Sequence, residues 1–201
     1  METEEKILRA ARKVFLERGY AAARTRDIAD EAGVNKGLLA YYSYNKEELF
    51  RKVFAETFSD FSRSIGKVFD SDMPLMEKID AFVDNYMDFL LSNPHIPAFV
   101  IHELNHNREN FLNDLVKKQE SPNPLKLIGQ IQMQVEAGNI RRVNPFQFVL
   151  SMVSICVFPF LGRPLFQRIA GITDETYMEM MRFRKEEIKG LLKAGLRKPS
   201  T

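Results

Sequence analysis

Thr25-Arg26-Asp27-Ile28-Ala29-Asp30-Glu31-Ala32-Gly33-Val34-Asn35-Lys36-Gly37-Leu38-Leu39 reads as two short helices joined by a tight turn. Ile28, Ala29 and Ala32 point inward from the first helix, Val34 plugs the corner, and Leu38 or Leu39 packs from the second. Ala29 is small because the second helix crosses close over it. Gly33 supplies the positive φ that such a corner needs. This is a helix-turn-helix, whose second helix enters the major groove of DNA.

The polar residues around it fit that docking. Thr25 and Lys46 stand at helix starts, where free backbone N–H groups and the helix dipole favour a phosphate. Arg26 and Lys36 add positive charge on the same side; a solvated face is the simpler reading of both, but their position at the mouth of both short helices favours contact. Tyr41 is read as a DNA contact, and Tyr42 as packing partly against the long helix that follows and partly against phosphate.

Outward from this stretch the chain reads as helix after helix. No Asn-Gly or Asp-Gly hairpin turn and no sustained period-two alternation is present. Asn93-Pro94, Asn123-Pro124 and Asn144-Pro145 each pair a capping Asn with a proline at the first helical position. Asn45 precedes Lys46-Glu47-Glu48 in capping-box fashion, and Thr25 and Thr173 serve as further caps. The expected architecture is all-α, with about nine or ten helices. A first helix over about 3–18 ends at Gly19, short helices follow at about 25–32 and 36–43, and a long one covers 46–69. Further helices are expected near 74–91, 94–106, 109–120, 124–137, 145–160 and 174–196. The domain reading is a three-helix head over 1–46 and a larger helical body over 47–201.

Several of these residues resemble a known family. Phe15-Leu16-Glu17-Arg18-Gly19-Tyr20, Thr25 to Ala29, Ala32-Gly33-Val34, Lys36-Gly37, Leu39, Tyr42 and Lys46-Glu47-Glu48-Leu49-Phe50 are similar to the N-terminal domain of tetracycline-repressor (TetR/AcrR) regulators. The resemblance spans roughly residues 4–52, without a gap. It implies a homodimer whose heads bind a palindromic double-stranded operator and whose bodies bind a small-molecule inducer, most often as a repressor. It assigns DNA contact to Thr25, Arg26, Asn35, Lys36, Gly37, Leu38, Tyr41, Tyr42 and Lys46. The chain departs from the family pattern at Asn35 (often Ser), Leu38 (small or hydroxyl), Ala40 (often Tyr) and Ser43 (often Phe). Ala40 removes one phosphate or base contact, and Tyr44 refills the volume lost at Ser43. These changes leave the operator sequence open.

The same resemblance places a ligand pocket among the helices at 74–91, 94–106, 124–137 and 145–160. Candidate lining residues are Tyr86, Phe89, Phe99, His102, Glu103, Met133, Phe148 and Met152, although aromatic and Met residues at helical spacing also build plain cores. Sixteen Phe and nine Met favour an apolar or aromatic inducer. The last two long helices are the expected dimer seam, through Phe158, Tyr177, Met181, Ile188 and Leu191.

A competing motif is His102-Glu103-Leu104-Asn105-His106. On a helix both imidazoles face one side, so His102 and His106 could hold a metal with Glu103 as general base. A zinc hydrolase would need a third ligand, and nothing marks His95, Glu109, Glu120 or Glu136 for that role. A metal-binding sensor keeps the geometry without catalysis. The simplest reading is polar residues lining a pocket or ending a helix. No dinucleotide, phosphate-loop or nucleophile-elbow motif occurs, so no cofactor and no enzyme activity are expected.

Composition agrees with a regulator and excludes other classes. The 201 residues are 45% hydrophobic and 28% charged, which rules out a disordered tail or a disulfide scaffold. The formal charge of +2 conceals net +2 over 1–52, −6 over 53–140 and +6 over 141–201. Any nucleic-acid contact is therefore a local patch, and the acidic middle weighs slightly against a strongly anionic inducer. A single Cys156 suits a reducing cytoplasm, and the acidic opening residues do not form a signal peptide. The apolar run Phe146 to Leu161 is too short for a membrane span and reads as a buried helix.

Overall fold

The computed structural model describes residues 2–42, 45–117 and 122–198, with the side chains of Glu2, Ala21, Lys36 and 114–117 outside that description. Eleven helices and no strand occur among the described residues. The head comprises α1 (Glu2–Ala22), α2 (Thr25–Ala32) and α3 (Lys36–Tyr41), carried by the first half of α4 (Lys46–Asp70). The body comprises the rest of α4 with α5 (Leu75–Ser92), α6 (Ile96–His106), α7 (Arg108–Lys117), α8 (Leu125–Glu136), α9 (Pro145–Leu161), α10 (Arg163–Ala170) and α11 (Asp174–Ala194).

Two apolar cores follow from the helix periodicities. The head core takes Ile7, Ala11, Val14 and Phe15 of α1, Ile28 and Ala29 of α2, Leu39 of α3, and Leu49, Phe50, Val53 and Phe54 of α4. It also takes Ile96 and Phe99 of α6 and Phe111 of α7, so the body reaches into the head. The body core joins Phe61, Ile65 and Phe69 of α4 to Ile79, Phe82 and Met87 of α5, and to Phe148, Met152 and Cys156 of α9. Phe58 packs against both cores. α11 is laced to α5 by Lys185–Asp88, Lys189–Asp84 and Lys193–Asp80, each at four-residue spacing on both helices.

Local chemistry explains most boundaries. Asn45, Asn144 and Thr173 accept the N–H of Glu48, Gln147 and Thr176 at 2.8, 3.0 and 3.2 Å, capping α4, α9 and α11. Lys78 of α5, only 2% exposed, donates to the carbonyls of Phe69 (3.0 Å) and Ser71 (2.8 Å) and so closes the C-terminal end of α4.

Gly19 breaks the first helix as expected (φ 71°, ψ 168°), and one further helical turn follows it to Ala22. Two expected boundaries differ. Thr25 is the first residue of α2, and the start is closed by Asp27, whose carboxylate accepts the Arg24 N–H at 3.0 Å. Asn93 closes α5 by donating to the Phe89 carbonyl at 3.0 Å, leaving His95 to precede α6. The region after α9 holds a separate eight-residue helix, α10, bent 61° from it. No single helix among the described residues is long and apolar enough to cross a membrane. Ser43, Tyr44 and Glu120 lie outside the described residues.

Candidate nucleic-acid interface

The α2–α3 corner is built as its sequence demands. Gly33 takes φ 65°, ψ 33°, and an added Cβ there would meet nothing, so conformation alone requires glycine. The Val34 N–H then reaches the Ala29 carbonyl at 3.0 Å. Ile28, Ala29 and Leu39 are buried while Leu38 is half-exposed, so Leu39 does the packing from the second helix.

The predicted DNA-facing residues fall into three groups. Tyr41 is 80% exposed, with its ring edge-on to Tyr42 at 5.4 Å, and Arg26 and Gly37 are also exposed. Arg26 has only a long ion pair, 3.8 Å to Asp30. Thr25 and Tyr42 are half-buried at the helix ends. Asn35 uses its side-chain oxygen to cap α3, accepting the Leu38 N–H at 2.8 Å. Lys46 lies with its ammonium 4.5 Å from the Tyr20 ring centroid, a cation–π contact within the chain. The side chain of Lys36 lies outside the described residues. Lys13–Glu31 and Arg18–Asp27 tie α1 to α2, and Arg12–Glu56 and Lys52–Glu4 tie α1 to α4. Through its hydrogen bond to Glu31, the exposed Lys13 titrates above its ordinary value.

One face of α6 grips this head at four-residue intervals. His95 seats its ring where a Cβ on Gly19 would stand, 2.9 Å from that position, and burial followed by the charge of Arg163 lowers its pKa. Phe99 packs on Phe50 (4.2 Å between centroids), Phe54 (5.1 Å) and Tyr20 (5.9 Å). Glu103, 1% exposed, accepts from Arg51 Nε at 3.1 Å and from Asn107 at 3.4 Å, while Arg51 also donates to Glu47. Burial, then Glu47 and Glu103, raises the Tyr20 hydroxyl. Sequence reasoning missed His95 and Arg51 because their partners lie far away in the chain.

The expected ligand-lining residues divide between two places. Tyr86, Phe89, Phe148 and Met152 meet in or against the body core, where Tyr86 and Phe89 pack on Phe61 at 4.9 and 4.0 Å. Burial raises the Tyr86 hydroxyl and pushes the nearby Cys156 thiol up to about 12. Phe99, His102 and Glu103 sit on the head side of α6, away from that group, and Met133 is exposed on α8. The resemblance put them together, but the turn of α6 faces them toward α1 and α4.

The His102-Glu103-His106 motif is split by its helix. The imidazoles stack at 4.3 Å, with His106 Nδ1 2.9 Å from the His102 carbonyl, while Glu103 turns inward to Arg51. No group of three metal-ligating side chains occurs among the described residues.

The expected seam also divides. Tyr177, Met181 and Ile188 are buried in the chain's own core, with the Tyr177 hydroxyl donating to the Pro159 carbonyl at 2.9 Å. Phe158 and Leu191 are exposed, together with Phe146, Leu150, Met180 and Phe183. Leu191 stands one residue from the buried Leu192, so about 100° of helix rotation carries it to the outer face.

Residues 7–53 match the family described as bacterial regulatory proteins, tetR family, and residues 76–187 match a tetracyclin repressor-like C-terminal domain. The chain is 23% identical over 196 residues to the probable HTH-type transcriptional regulator YttP of Bacillus subtilis, covering 94% of this chain and 91% of that one. It is 30% identical over 89 residues to the HTH-type transcriptional activator FasR of Mycolicibacterium smegmatis, a match covering 44% of this chain and only 41% of FasR. In fold it is similar to a TetR/AcrR-family regulator from Thermobifida fusca (TM-score 0.66, 19% identity, 98% of this chain and 100% of that one). It is similar too to the regulator FadR of Bacillus subtilis, solved with stearoyl-CoA (TM-score 0.63, 17% identity, 96% and 100%). A helix-turn-helix head, a helical body and matches to both halves make one conclusion: the chain belongs to the tetracycline-repressor family of transcriptional regulators.

Proposed function

We propose that this chain is a repressor that binds a palindromic DNA operator as a homodimer and leaves it when a small-molecule inducer fills its body. The observation that carries this reading is the grip of α6 on the head through His95, Phe99 and Glu103. A body that bound ligand without touching the head would have no means of changing its DNA affinity; here one helix belongs to both.

Exposed Arg26 and Tyr41, with Lys36, supply phosphate and base contacts from α2 and α3. The outer face of α9 and α11, with Phe158, Phe183 and Leu191, meets a second copy and sets two recognition helices about 34–36 Å apart. The inducer is apolar or aromatic and enters between α5 and α9, beside Tyr86, Phe89, Phe148 and Met152; of the stearoyl-CoA bound by the similar FadR fold, the stearoyl chain is of that chemistry and the anionic CoA is not. It releases DNA because it binds the non-operator arrangement more tightly. α5, which packs on α4, and α6 both carry the change to the head.

The test is capture of sheared genomic DNA on the purified protein followed by sequencing. Enriched fragments sharing one inverted repeat, bound by two chains per site in ultracentrifugation, support the reading. Fragments without a shared sequence overturn it. Phe183→Glu, on the exposed face, should give monomers that lose operator affinity.

A further inference from the structure

A crevice of about 370 Å³ opens between the C-terminal end of α1 and α6, lined by Arg18, Tyr20, His95, Ala98, Phe99 and His102 among others. It lies apart from the body core that Tyr86 and Met152 occupy. Its walls are aromatic: Phe99 is buried, and the Tyr20 ring stands 5.9 Å from both the Phe99 and the His102 rings, inclined at 62° to the first and 42° to the second. Its polar side-chain groups are one guanidinium, two imidazoles and the Tyr20 hydroxyl, and no carboxylate is among the lining side chains. Asp27 pairs with Arg18 through Nη1 at 3.0 Å, and Arg18 remains half-exposed with further donors to offer. His95, the residue before α6, and His102 on α6 stand seven residues apart, which sets a length of about 10.5 Å. The volume is at the small end of the roughly 300–1,000 Å³ range of small-molecule sites, too small for a long acyl chain with its carrier.

We propose that this crevice is a second small-molecule site, selective for a small aromatic carboxylate, with its ring against the Tyr20 and His102 edges and its carboxylate toward Arg18. The assignment stands independently of the inducer site in the body. An aromatic ring meets such inclined walls edge to face, and a guanidinium is the group that pairs with a carboxylate through two parallel hydrogen bonds. One wall is head and the other is body, so an occupant touches both and holds the last turn of α1 against α6. A neutral ligand of the same shape would offer Arg18 no carboxylate beyond that of Asp27.

The chain has three histidines and no tryptophan, which makes imidazole NMR a sparse and assignable reporter. Titration of the full-length protein with 2-naphthoate at fixed pH should move the His95 and His102 resonances along one saturable curve. The neutral 2-naphthamide should bind at least about tenfold more weakly, and Arg18→Gln should weaken naphthoate by a similar factor. Ala98→Phe, at an exposed rim position, should keep the helical circular dichroism and abolish the shifts. The proposal is overturned by any of three results: no saturable shift up to about 5 mM, affinity unchanged in Ala98→Phe, or equal binding of the amide. Shifts of the Met87 and Met152 methyls with silent His95 and His102 would place the probe in the body and overturn it equally. Loss of operator binding plays no part in the readout, so failure here and failure of the repressor reading are separable.

Discussion

Gly19→Ala is the sharpest test of how head and body are joined. Gly19 has φ 71° and ψ 168°, a region that residues with a Cβ essentially never occupy. Holding alanine there costs about 1–3 kcal/mol in backbone strain alone. The new Cβ would also stand 2.9 Å from His95 Nδ1 and 3.0 Å from its Cε1, so the ring must move out of its seat. Overpacking of that kind adds about 1–3 kcal/mol. The expected total is about 2–6 kcal/mol, a large share of the roughly 5–15 kcal/mol that holds a domain together. The assay is urea unfolding followed by far-UV circular dichroism. His95→Ala in the same background removes the steric part and leaves the strain. The double-mutant cycle should therefore show a coupling of about 1–3 kcal/mol in favour of the pair. A Gly19→Ala protein within about 0.5 kcal/mol of wild type, or a cycle with no coupling, refutes the geometry at this junction.

Three further outcomes follow. Arg26→Ala should leave stability within about 0.5 kcal/mol, because its pair with Asp30 is long and exposed, yet reduce the salt slope of operator binding by about 1 in a filter-binding series. Glu103→Ala should lower stability by about 1–3 kcal/mol in thermal unfolding, below the cost of breaking a fully buried pair, because Arg51 is 38% exposed and retains Glu47. With the Cys156 thiol pushed up to about 12 by burial, only about one molecule in ten thousand is thiolate at pH 8, and a disulfide reagent should react only after unfolding. The fold keeps that proton longer than the unfolded chain. Its stabilising share is thus whole below about pH 8.5 and falls by about 1.4 kcal/mol per unit as pH rises toward about 12. Cys156→Ala should lack that alkaline slope.

What could be read from the residues was local. The Gly33 corner, the inward Ile28 and Ala29, and the caps at Asn45, Asn144 and Thr173 each depend on a few neighbours in sequence, and the pattern of one helix turn exposes them. The contacts that join head to body were not legible. Arg51 and Glu103 are 52 residues apart, and nothing near either names the other. The same limit misplaced Phe99, His102 and Glu103, whose helix face depends on the angle at which α6 crosses α1 and α4. α11 shows a middle case: its apolar positions were visible, but residues 177, 181, 188 and 192 turn inward while 180, 183 and 191 turn outward. A helix apolar on two sides does not announce which side is its own core. Asn35 and Lys46 were read as DNA contacts from chemistry that serves the chain equally well as a cap and as a cation over Tyr20.

The Lys78 clamp on Phe69 and Ser71 has a mechanical meaning. It pins α4 at its far end, so the 25 residues behave as a rod of about 37 Å whose other end is packed in the head core and travels with it. Tilting such a rod by about 5° swings the tip by about 3 Å, close to the rise of one base step. In the proposed two-fold dimer the swings would add, and the reach between reading helices would change by up to about two base steps while nothing near the pivot moves by more than a fraction of an ångström.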